Sequence, residues 1–105
     1  MIVVESKKEL KELIKQRITE QGPKCDLNDI DVSKIDDMSF LFTDSKFNGD
    51  ISSWDVSNVK NMSYMFYYSE FDGDISKWDV SNVENMNDMF INSPLKKNPP
   101  KWYKK

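Results

Sequence analysis

Four aspartates, Asp50, Asp55, Asp74 and Asp79, recur as two pairs set 24 residues apart. They are the first residues here whose type and spacing suggest chemistry. Calcium takes oxygen ligands, and some β-helix repeats supply them from recurring aspartates. Each turn of this chain offers few carboxylates, and no glycine–aspartate nonapeptide recurs. The aspartates therefore read as acceptors for nearby backbone N–H groups, with calcium binding as the alternative. Nucleophilic chemistry has little to work with. The chain has no histidine and one cysteine, Cys25, so neither a Ser-His nor a Cys-His pair can form and a zinc site lacks its usual ligands. Cys25 follows Pro23-Lys24 and reads as a small junction residue rather than a reactive thiol. Gly22, Gly49 and Gly73 stand alone, so no phosphate-cradling loop is present. The expectation is a protein that is not an enzyme, with no catalytic residue, no cofactor and no metal.

The spacing of the aspartates belongs to a longer duplication. Residues 47–69 read FNGDISSWDVSNVKNMSYMFYYS and residues 71–93 read FDGDISKWDVSNVENMNDMFINS, identical at 16 of 23 positions. A period of this size predicts stacked repeats. In one phase the units are 26–49, 50–73 and 74–97, the first being the most divergent. Trp54, Trp78 and Trp102 keep the same interval, so a truncated fourth unit and a basic tail occupy 98–105. There Pro99 and Pro100 replace Ile and Ser, and two prolines end any hydrogen-bonded ladder.

Within a unit, Val59, Met62, Met65 and Phe66 follow helical spacing, as do Ile35, Met38, Leu41 and Phe42, and Val83, Met86, Met89 and Phe90. Ser33, Ser57 and Ser81 precede these runs as N-caps, and Ser81-Asn82-Val83-Glu84 has the form of a capping box. Each unit is thus expected to hold a helix of about ten residues. Asn48-Gly49 and Asp72-Gly73 would form turns with glycine at positive φ. Ile51 to Val56 would be a short strand. Before the repeats, residues 1–25 form a capping segment. Ile2-Val3-Val4 predicts a short strand. Ser6 to Glu9 is a capping box, and Leu10, Leu13, Ile14 and Ile18 line one face of a helix from about Lys7 to Glu20 that Gly22-Pro23 ends. The fold expected is an α/β repeat solenoid, a leucine-rich-repeat-like stack of strand–helix units under an N-terminal capping helix.

The formal charge is −3, unevenly spread. Residues 1–25 carry a net +2, residues 26–92 a net −10 and residues 93–105 a net +5. An acidic repeat body argues against nucleic acid, whose phosphates need clustered Lys and Arg. The terminal lysines read as a solubilising run, with contact to an anionic surface as the alternative. No internal disulfide can form, no signal peptide is visible, and no stretch is apolar enough to span a bilayer. The chain as written is expected in the cytoplasm, or at the surface if a leader was removed.

The repeats GDISSWDVSNVKNMSYMF and GDISKWDVSNVENMNDMF resemble those of the BspA-like leucine-rich repeat proteins of bacteria, over about Asp26 to Tyr103. The resemblance implies a right-handed solenoid with adhesive or protein-binding roles, and it supplies no catalytic residues. On the expected helices, the outer face would carry Phe40, Tyr64, Tyr67 and Tyr68, and aromatic clusters are frequent interface anchors. Two functions follow. One is a non-catalytic module binding a protein partner through this open face. The alternative is a self-associating structural unit stacking end to end.

Overall fold

The segment before the repeats folds much as its residues predict. In the computed structural model, which describes residues 1–103, β1 is Ile2–Val3 and α1 is Lys7–Gln21. Ser6 caps α1 by accepting from the Glu9 N–H at 3.1 Å. The Glu9 carboxylate reaches back to the Glu5 N–H at 2.7 Å, one residue beyond the usual box partner. The α1 C-terminus is closed by Gly22 at φ 90°, whose N–H returns to the Ile18 carbonyl; glycine takes that left-handed region without strain. The inner face of α1 buries Leu10 and Ile14, each worth roughly 1.5–3 kcal/mol of transfer. Strand β1 pairs in parallel with β2, Ile30–Asp31, in the register Ile2 to Ile30 and Val3 to Asp31.

The strand–helix solenoid expected from the repeats is not what forms. Among the described residues there is one α-helix, one two-stranded parallel sheet and a single 3₁₀ turn, Pro94–Lys96. The Cα radius of gyration is 12.4 Å and the extents are 34 × 25 × 21 Å, close to the roughly 13 Å of a compact globule of this length.

The expected repeat helices fail for a backbone reason. Phe40, Asp44, Tyr64, Tyr68, Asp88 and Asn92 all have φ between 52° and 61°, a left-handed conformation that breaks a right-handed helix. Consecutive tight turns take the place of each helix. Met65, Tyr67 and Ser69 donate to the carbonyls of Met62, Tyr64 and Phe66, three residues back, at 3.1–3.2 Å. The intervening amides of Met62, Tyr64, Phe66 and Tyr68 leave the segment and bond to the carbonyls of Asn85, Asn87, Met89 and Ile91 at 2.8–3.0 Å. The amides of Met38, Phe40, Phe42 and Asp44 bond likewise to Asn61, Ser63, Met65 and Tyr67. Isolated parallel bridges join Asp26 to Asp50, Asp37 to Asn61 and Asn61 to Asn85. The strand expected from Ile51 to Val56 does not form: Ser52 and Ser53 make a turn closed by the Trp54 N–H donating to the Ile51 carbonyl at 3.2 Å.

The serines expected as helix caps, Ser33, Ser57 and Ser81, instead donate their N–H groups to Oδ1 of the aspartate two residues earlier, part of a wider device. Asp50, Asp55, Asp74 and Asp79 each accept at Oδ1 from both the N–H and the hydroxyl of the serine two residues on, Ser52, Ser57, Ser76 and Ser81. These are Asx-turns. The glycines of the Asn48-Gly49 and Asp72-Gly73 turns are also used differently. Neither is left-handed, and a Cβ on Gly49 would stand 1.8 Å from the Cys25 carbonyl oxygen. Close backbone approach, rather than a turn dihedral, requires glycine there.

The core is continuous from end to end. Phe42 stacks on Phe66 at 5.5 Å and Phe66 on Phe90 at 5.7 Å, while Phe47 faces Phe71 at 5.9 Å. Each tryptophan indole donates to a carbonyl 27 residues earlier: Trp54 to Leu27, Trp78 to Ile51 and Trp102 to Ile75, at 2.8–3.1 Å. No buried side-chain N or O atom among the described residues is left without a partner, as a satisfied core requires. Lys104 and Lys105, the end of the basic tail, lie outside the described residues.

Candidate functional site

Phe40, Tyr64, Tyr67 and Tyr68 come together on one side of the molecule, although no helix carries them. Phe40 and Tyr64 stack with ring centres 4.8 Å apart and planes 6° from parallel. Tyr67 meets Tyr64 edge-on at 5.5 Å and Tyr68 edge-on at 4.6 Å. Such pairs contribute about 0.5–1.5 kcal/mol beyond burial. Phe40 remains 47 % exposed and Tyr68 49 %, while Tyr64 and Tyr67 are half-buried.

The backbone beneath this face is unusual for its residues. Phe40, Tyr64 and Tyr68 hold φ of 61°, 56° and 53°, where a side chain with a Cβ costs roughly 1–2 kcal/mol. The matching positions in the other units are Asp44, Asp88 and Asn92, residue types that tolerate this region. Cross-unit hydrogen bonds hold the conformation in place, and Thr43 Oγ1 adds one by donating to the Tyr64 carbonyl at 2.8 Å. The Asp88 carboxylate beside the Tyr64 hydroxyl raises its pKa above the ordinary phenol value. The face can offer ring edges and faces and phenolic hydroxyls to a partner.

The aspartates behave as turn acceptors. Asp50 is lowered in pKa by the Asn28 side chain first and then by Ser52. Asp74 is lowered by Ser76 and Asp79 by Ser81. Among the described residues no cluster of three or more metal-ligating side chains occurs. Cys25 is buried, and burial pushes its thiol up in pKa, away from the thiolate form that reactivity needs. No described helix is long and apolar enough to cross a membrane.

A second feature was not singled out by sequence. At the C-terminal end, a groove of about 1000 Å³ is lined by Val80, Val83, Met86, Phe90, Trp102 and Tyr103, among others. The sequence pattern assigns Val80, Val83 and Met86 to the core with their counterparts in the other units. In the structure they are only partly buried. The signal was the fourth unit, where Pro99-Pro100 interrupts the repeat and leaves the last columns without a following layer.

Comparison with known proteins returns one family. The match, described as Mycoplasma protein of unknown function, DUF285, covers residues 8–104, and the chain belongs to that family. No curated protein and no solved structure matches it.

Proposed function

We propose that this member of the DUF285 family is a non-catalytic module that binds a protein partner through Phe40, Tyr64, Tyr67 and Tyr68. One observation carries the reading. Three aromatics occupy left-handed backbone positions that Asp and Asn fill elsewhere in the same chain, and two of them stay about half exposed. Folding alone favours the polar residues at those sites, so the rings bring a cost that binding would offset. The likeness of the repeats to BspA-like proteins of bacteria supports an adhesive or partner-binding role, and the absence of histidine supports a role without catalysis.

The test is capture from the source organism's lysate with the wild-type chain and with Tyr64→Ala/Tyr68→Ala, followed by mass spectrometry. A partner enriched by the wild type and lost with the double variant, while the variant stays folded at the capture temperature by circular dichroism, supports the proposal. Equal capture by both chains rejects this face.

A further inference from the structure

The row of hydrogen bonds between neighbouring units has a direction. Four alternate amides of each inner row donate toward the C-terminal end: Met38, Phe40, Phe42 and Asp44 to the second unit, then Met62, Tyr64, Phe66 and Tyr68 to the third, while the flanking Lys60, Glu70 and Glu84 donate back to the unit before. The next set in this register is Met86, Asp88, Phe90 and Asn92. Their N–H groups have no acceptor among the described residues, and they run beside the groove floored by Val80, Val83 and Met86. The last unit therefore presents a strip of backbone donors next to apolar side chains that are only partly buried. Inside the molecule, the same combination is always covered by a strip of alternate carbonyls carrying Met and Phe side chains.

A second copy of the chain does not fit this strip. Two donor strips placed face to face have nothing to exchange. The complementary carbonyls, those of Asp37, Ser39, Leu41 and Thr43, lie at the opposite end, where α1 packs. Lys7 Nζ donates there to Ser39 Oγ at 2.9 Å, and Arg17 grips Asp29 through two bonds of 2.9 and 2.7 Å. A copy would have to displace its own helix to offer those acceptors.

We propose that the C-terminal groove binds a peptide segment of a partner protein that lies along residues 86–92. Its alternate carbonyls accept from the amides of Met86, Asp88, Phe90 and Asn92, and its apolar side chains cover Val80, Val83 and Met86. This is edge augmentation, in which main-chain bonds supply affinity and side-chain pockets supply specificity. Glu84 and Asp88, both exposed at this edge, favour a Lys or Arg on the flank of the segment. The strip adjoins the aromatic face at Asp88 but is built from backbone donors and apolar side chains that the face does not use, so the two are tested by different variants.

The probe is a synthetic peptide with the sequence of residues 59–69, a strip whose carbonyls already accept from such a row and which carries Lys60. It is titrated to millimolar concentration into the ¹⁵N-labelled full chain. The proposal expects shifts centred on the amides of Met86, Asp88, Phe90 and Asn92, with slowed solvent exchange at those four. Val83→Lys, at a half-buried position, should weaken binding by at least about tenfold while the rest of the spectrum stays in place. Tyr68→Ala should leave the titration unchanged. Immobile amides at 86–92, shifts centred instead on Phe40 and Tyr68, binding undiminished in Val83→Lys, or a dimer in sedimentation without peptide would each overturn it.

Discussion

At one end of this molecule the apolar columns are shut; at the other they are open. Val32, Ile35 and Met38 in the first unit are 1, 2 and 0 % exposed, because α1 lies at that end with Leu10 and Ile14 in the same core. Val80, Val83 and Met86 occupy the same positions in the third unit and are only partly buried. The residue types are nearly the same at both ends. The environment differs because a 15-residue helix precedes the first unit, while a proline-interrupted stub follows the last. Burial is thus a property of what neighbours a column, and identical sequence positions in a duplicated chain need not carry equal energy.

The sharpest way to break this comparison is to truncate one column at both ends. Met38→Ala removes a fully buried side chain and should cost about 2–5 kcal/mol. Met86→Ala should cost less than about 1 kcal/mol, as substitutions away from the packed core do. Thermal unfolding separates the two, since 1 kcal/mol moves the midpoint by about 4–8 °C in a domain near this size. Equal losses would mean that the open end is covered in solution. A smaller contrast lies at the junctions. A Cβ on Gly49 meets the Cys25 carbonyl oxygen at 1.8 Å, whereas on Gly73 the nearest backbone atom is the Gly49 oxygen at 3.3 Å. Both would press a phenylalanine ring, so the backbone clash is the difference. Gly49→Ala should destabilise by about 1–3 kcal/mol and Gly73→Ala by less, read from denaturant midpoints.

Acid gives the smallest effect. Asp29 is lowered in pKa by its hydrogen bonds to Arg17. Asp37 is raised by burial but lowered overall by Ser39 and Lys7. Both hold α1 against the first unit. A carboxylate depressed in the folded state stabilises above its ordinary range, and that contribution disappears as pH falls through the folded value. The closed end should therefore weaken below about pH 4. Asp29→Asn/Asp37→Asn should flatten the fall in melting temperature between pH 5 and pH 2. An unaltered acid profile in that variant would show that the ties of α1 carry no pH-dependent stability.

What the sequence shows about these two ends depends on the kind of signal. The closing helix was readable residue by residue: Ser6 and Glu9 start it, Leu10 and Ile14 face inward, and Gly22 stops it. In the repeat interiors the pattern is ambiguous, because apolar residues three apart mark both a helix and a run of tight turns. The deciding fact is left-handed backbone at Phe40, Tyr64 and Tyr68, and aromatic residues give no hint of it. Asp88 and Asn92 at the equivalent sites did carry that hint, as types that accept positive φ. The aromatic group was still found, because a 24-residue register brings Phe40 beside Tyr64 whichever element lies between. The open groove was hidden, since apolar letters in a repeat look alike whether or not a further layer covers them.

The three tryptophans make the molecule its own optical instrument. Their indoles lie 6.5 and 6.3 Å apart, with planes within 6° and 13° of parallel. At that separation excitation passes among the rings faster than it is emitted, and because the planes are nearly parallel the three indoles should emit as one coupled set. Trp102 is the least buried of the three and sits at the mouth of the groove, so emission collects from a ring that senses its occupancy. The emission wavelength of an unlabelled sample would then report whether that mouth is dry, wet or filled.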